Sequence, residues 1–180
     1  MKSIRVVLIV LAIFFVAVTT LQTTTQAQKS RAKSGPTANP FSGHWTYRSF
    51  RNDPTPVGDV EKDPSKLVKL LFAEGELVLE DITDGSVKGT LQFDATSVMD
   101  LTGEITPAHA GAPAQIHING KGRPGTPTEK YFYAYDGSLA YHWPNGVNQT
   151  PAIVGSVIRV KPHDGAPAGY VASFIAVKRD

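Results

Sequence analysis

Between Gly43 and Lys178, segment after segment of this chain repeats its apolar residues every second position, and that period constrains the fold more than any other feature. Val87, Gly89, Leu91 and Phe93 alternate with Lys88, Thr90 and Gln92. Met99, Leu101, Gly103 and Ile105 alternate with Asp100, Thr102 and Glu104, and Ile116 and Ile118 with His117 and Asn119. Successive side chains of a strand point to opposite faces, so each run has one apolar face and one wet face, as antiparallel sheets allow. Further strand-like runs are Gly43 to Phe50, Glu76 to Ile82, Lys130 to Tyr135, Ile153 to Lys161 and Gly169 to Lys178. Lys66 to Phe72 is ambiguous between one helical turn and a short strand. Nowhere does a capped, helix-period segment of ten residues or more occur.

Turn chemistry separates the eight runs. Asp84-Gly85 and Asp94-Ala95-Thr96 make hairpins, Thr106 to Ala114 and Pro162 to Ala168 are Pro/Gly/Ala loops, and Asp136-Gly137 is read as ending the aromatic run. Pro144-Asn145-Gly146 and Thr150-Pro151 frame another loop. No internal repeat is visible. The expected fold is all-β: an eight-stranded antiparallel up-and-down barrel, with a β-sandwich as the alternative.

The start of the chain reads as an address. A basic Met1 to Arg5 precedes an unbroken apolar Val6 to Val18, and a polar stretch ends at Thr25-Gln26-Ala27. That is the pattern of a secretory signal peptide cut after Ala27. The apolar run spans roughly 20 Å as a helix, short of the ~30 Å hydrocarbon core of a membrane. The expected organisation is a signal peptide over 1–27, a flexible linker over 28–39 and a barrel domain over 40–180. The expected location is secreted or periplasmic, with no membrane association after cleavage. Of the 18 Lys and Arg, Lys2, Arg5, Lys29, Arg31 and Lys33 lie in leader and linker, so 13 face 16 Asp and Glu in the body. A body with net charge −3 argues against nucleic acid. With no Cys, the domain has no disulfide scaffold, thiolate metal site or cysteine nucleophile, and its core alone must hold it.

The first strand carries Gly43-His44-Trp45. Together with the number and order of strands, this resembles the calycins, the lipocalin and avidin-like barrels, whose first strand bears Gly-x-Trp with the tryptophan plugging one barrel end. The resemblance implies a closed barrel with room for side chains or one small ligand, and an arginine packed on Trp45, for which Arg159 and Arg179 are candidates. Two departures stand out. No C-terminal helix can form after Lys178, and the biotin-binding residues of avidins have no counterpart.

Other motifs reduce to simpler explanations. Gly120 to Gly125 fits G-x-G-x-x-G but leads into Thr126-Pro127, not a helix, so a charged turn explains it. The five His residues, His44, His109, His117, His142 and His163, show no i, i+2 or i+4 spacing, and no metal site or cofactor is expected. Two segments carry more. Tyr131, Tyr133 and Tyr135 share one face and, if it points inward, form a stacking wall with hydroxyl handles. Tyr141 to Gln149 packs His142, Trp143 and amides into one loop. The candidate ligand-binding residues are therefore Trp45, Tyr131, Tyr133, Tyr135, His142, Trp143 and Arg159, with Trp45 also read as a core plug. No catalytic residue is assigned. The first functional expectation is an exported barrel holding a partly apolar small molecule. An accessory domain for a larger exported protein partner comes second. A barrel isomerase or cyclase, like the calycin-like allene oxide cyclases, comes third, with His142, Arg159 and Tyr135 as its candidate groups.

Overall fold

The structure, a computed structural model, describes residues 39–80, 84–140 and 149–179. Eight strands form one closed antiparallel barrel in chain order: β1 Gly43–Arg51, β2 Leu71–Leu79, β3 Ser86–Gln92, β4 Val98–Thr106, β5 Gln115–Gly122, β6 Phe132–Leu139, β7 Ala152–Arg159 and β8 Val171–Lys178. β8 returns to pair with β1, from Trp45 opposite Lys178 to Arg51 opposite Ala172. The barrel expectation holds, and the sandwich alternative does not. The strands run in simple up-and-down order, compatible with a calycin-like fold.

The two-residue period sets the interior. Trp45, Tyr47 and Ser49 of β1 are buried, as are Leu77 and Leu79, Val87 and Leu91, and Met99 and Leu101 of the next three strands. Ile116 and Ile118, Tyr133 and Tyr135, Ile153 and Val157, and Ala172, Phe174 and Ala176 complete the ring. Intervening residues face outward, where His117 meets Asp136 at 2.5 Å and Arg123 meets Asp100 at 2.7 Å.

One end of the barrel is shut. Trp45 is fully buried, and its indole Nε1 donates to the Phe41 carbonyl at 2.9 Å. Lys178 Nζ lies 4.7 Å from the centre of the indole ring. The cation on the plug is thus a lysine, neither of the expected arginines: Arg179 pairs with Glu76, and Arg159 ends β7 at the other mouth. A flexible ammonium reaches the ring face because Lys178 is the direct cross-strand neighbour of Trp45.

Two boundaries differ from the sequence expectation. β2 begins at Leu71, preceded by a six-residue helix α1, Ser65–Leu70, which buries none of its residues. β6 does not stop at Asp136-Gly137 but continues to Leu139. Gly137 faces inward in a regular strand; a Cβ there would lie 3.0 Å from Phe174 Cζ and 2.9 Å from Ile153 Cγ2. It is a glycine of close packing, and the Asp-Gly pair had mimicked a turn.

Candidate functional site

The opposite end of the barrel is open. The connections β1–β2, β3–β4, β5–β6 and β7–β8 meet there around a cavity of about 370 Å³. Its floor is Tyr47 and Tyr135, below which only about 10 Å³ of free space remains among Leu77, Leu91, Leu101 and Phe174. The barrel is therefore half core and half cup.

Aromatic rings form the cup wall. Alternation along β6 turns Tyr133 and Tyr135 inward, and Tyr131, just before the strand, joins them. The Tyr131 and Tyr133 rings meet edge to face at 6.0 Å, and Phe72 stacks on Tyr170 at 5.4 Å. Burial pushes the Tyr47 and Tyr135 hydroxyls well above their usual range, so both stay protonated. The Tyr135 hydroxyl is spent on the Met99 sulfur, 3.9 Å away.

Arg159 is the last residue of β7, and the same inward register that buries Ile153 and Val157 turns it into the cup. It is 7% exposed. Its Nε donates to the Tyr133 hydroxyl at 3.2 Å and its Nη1 to the Pro167 carbonyl at 3.1 Å. Its guanidinium carbon lies 5.5 to 5.9 Å from the ring centres of Tyr170, Phe72 and Tyr133. Among the described residues it joins no ion pair, and Nη2 donates to no protein acceptor. Arg159 lines the cavity, and Nη2 is the guanidinium nitrogen these two bonds leave over. A cation held this far from water without a carboxylate favours an anionic or strongly polar guest atom.

His163 comes from the β7–β8 connection. Asp164 and Gly165, at φ 49° and 75°, give it the two left-handed residues of a tight hairpin turn, which Asp-Gly supplies well. His163 and Ala166 exchange backbone hydrogen bonds across this turn. His163 is only 9% exposed, and its imidazole stacks on Tyr131 at 4.0 Å. Its Nε2 is 2.7 Å from the Tyr133 hydroxyl and its Nδ1 3.1 Å from Asp164 Oδ2. His163 beside it holds the Asp164 carboxyl below the usual range.

The rim is acidic. Glu74 pairs with Arg48. Asp94 Oδ1 accepts from the Thr96 and Ser97 amides and the Thr96 hydroxyl, at 2.8 to 2.9 Å, which draws its carboxyl down to about 2.

Of the residues singled out by sequence, the cup brings together Tyr131, Tyr133, Tyr135 and Arg159. It does not include Trp45, the plug of the closed end. His142 and Trp143 lie outside the described residues. Sequence reasoning missed His163, Asp164 and Phe72. One signal was available: His-x-Gly-Ala-Pro-Ala occurs twice, at 109–114 and 163–168, so a short repeat does exist. His109 and Ala112 exchange the same pair of backbone hydrogen bonds at the closed end. Among the described residues, no three His, Asp or Glu side chains gather as metal ligands. No family model, curated protein or solved structure significantly matches this chain.

Proposed function

We propose that this chain is an exported, calycin-like binding protein whose cup holds one partly apolar small molecule, with the polar end of that molecule on Arg159. The carrying observation is the half-engaged guanidinium beside Tyr131, Tyr133 and Phe72, lining a cavity of about 370 Å³ whose rim carries Glu74 and Asp94. That volume lies within the ~300–1,000 Å³ of small-molecule sites. An accessory role on a larger protein partner calls for a solid interior, so the cup favours a guest. The reading has no role for nucleic acid. Export, cleavage after Ala27 and a secreted or periplasmic location rest on the leader pattern alone; among the described residues no helix is long and apolar enough to cross a membrane.

The test is a titration of the full chain with anilinonaphthalene sulfonate, whose aromatic body and sulfonate match the cup, alongside native mass spectrometry of protein purified from its own host. We expect one saturable site, weakened about 10-fold or more by Arg159→Gln and likewise by Ala73→Leu, which narrows the cup. No saturable site, or an affinity unmoved by both substitutions, overturns the reading.

A further inference from the structure

We propose that the cup is also catalytic, with Tyr133 as a general acid and base that moves a proton along the carbon skeleton of an enolisable carbonyl compound. This rests on the reading that the cup accepts a partly apolar guest. The observation behind it is a continuous relay. Asp164 meets His163 Nδ1, His163 Nε2 meets the Tyr133 hydroxyl at 2.7 Å, and Arg159 Nε donates to that same oxygen at 3.2 Å. The carboxylate on Nδ1 assigns the proton to that nitrogen, leaving the Nε2 lone pair to accept from Tyr133. The phenol is thus placed between a proton acceptor and a cation that stabilises its anion.

The twin turn shows that folding does not demand this arrangement. At the closed end the same His-x-Gly-Ala-Pro-Ala string makes the same backbone pair with Ala110 in place of Asp164 and with an exposed His109. Only the copy at the mouth buries its histidine, sets a carboxylate behind it and places a tyrosine before it. That carboxylate sits at the one non-glycine residue of positive φ among those described. The groups facing the relay are Tyr131, stacked on His163 and close to Asp164, Lys130 near Asp164, and Arg159.

The step balances without a co-reactant. A guest carbonyl oxygen lodges on Arg159 Nη2. Tyr133 passes its proton to His163 Nε2 and its oxygen takes a proton from the carbon beside the carbonyl. The C–H electron pair becomes the C=C bond of an enolate, whose oxygen charge rests on the guanidinium. Tyr133 then returns the proton to the same carbon, or to the far end of a conjugated enolate, and recovers its own from His163. The second outcome shifts a double bond. The substrate class is a partly apolar ketone or unsaturated ketone. Tyr135 takes no part, because its hydroxyl faces the Met99 sulfur.

Hydrogen–deuterium exchange at the carbon beside the carbonyl of α-tetralone, followed by NMR in D₂O with the full chain, tests this, with saturation transfer reporting binding in the same tube. We expect exchange about 100-fold or more above the buffer rate. Tyr133→Phe should return it to that rate while α-tetralone affinity moves less than about fivefold. His163→Gln and Asp164→Asn, the latter tolerating the left-handed turn, should slow exchange about 10-fold and displace its pH profile. His109→Gln, in the twin turn, should change nothing. Binding without exchange, or undiminished exchange in Tyr133→Phe, overturns the catalytic proposal and leaves the binding reading standing. Neither binding nor exchange overturns the catalytic proposal, and the binding reading falls with it when the anilinonaphthalene sulfonate titration also shows no saturable site.

Discussion

Gly155 shows how tightly single positions are fixed. A Cβ there would sit 1.9 Å from the Asp136 carbonyl and 2.7 Å from Gly137 Cα, both backbone atoms that cannot swing aside. Gly155→Ala is therefore expected to cost about 1–3 kcal/mol or more in urea unfolding, as forced overpacking does. Trp45→Ala should cost about 3–5 kcal/mol yet leave anilinonaphthalene sulfonate affinity within about threefold, because plug and cup lie at opposite ends; a larger fall in affinity would show that the two ends are coupled. At this scale the sequence was readable where one strand's alternation decides the matter. Tyr133 and Tyr135 share one face as their spacing demands, but that this face and the one bearing Ile153, Val157 and Arg159 point inward was open in the sequence, because both sides of these strands are apolar. His163 was not readable. Pro162-His163-Asp164-Gly165 looks like any solvated turn, and its burial is supplied by Tyr131 and Tyr133, about 30 residues earlier in the chain. The lysine on Trp45 was likewise hidden, since only the β1–β8 register brings Lys178 beside it.

Among the elements, the β3–β4 hairpin owes its tightness to Asp94. The folded carboxyl titrates at about 2, against an ordinary 3.8, so its contribution is complete above about pH 4 and lost as pH falls through 2. The exposed Asp53, Asp59 and Asp84 are shifted the same way by local hydrogen bonds, and half-buried Glu76 by the His44 side chain across the β1–β2 ladder. Thermal melting should thus fall between pH 4 and pH 2, and Asp94→Ala should flatten part of that slope; an unchanged slope would deny the clasp its role. Helix α1 lies at the other extreme. Six residues with no side-chain cap and nothing buried are too few to be helical alone. Its amides should exchange with D₂O far faster than those of β4 or β5, measured residue by residue. The extents of β2 and β6 escaped the sequence for a shared reason. Leu71 to Glu74 and Asp136 to Leu139 are strand because of their neighbours across the ladder, while local composition left Lys66 to Phe72 ambiguous between a helical turn and a short strand and read Asp136-Gly137 as a break.

At the scale of the molecule, closure leaves the barrel without an unpaired sheet edge. One stable scaffold then supports a loosely filled upper half. A guest that binds only the folded form should raise stability by about 2.7 kcal/mol at 100 times its Kd, which for a domain of this size is a rise in Tm of about 5–10 °C; saturating anilinonaphthalene sulfonate in a calorimeter tests this, and a static Tm would count against a site in the folded state. The eight antiparallel strands were visible in the sequence through period-two runs and hairpin-length links, but closure was not, since it rests on the β1–β8 pairing that separates a barrel from a sandwich. The depth of the cup was not, since it depends on how far Tyr47, Tyr135 and Phe174 fill the middle. The placement of the plug carries a practical corollary. β1 starts and β8 finishes beside Trp45, so both routes by which backbone leaves the barrel depart from its sealed pole. A tag, resin or fused passenger attached at either side should leave the entrance facing open solution.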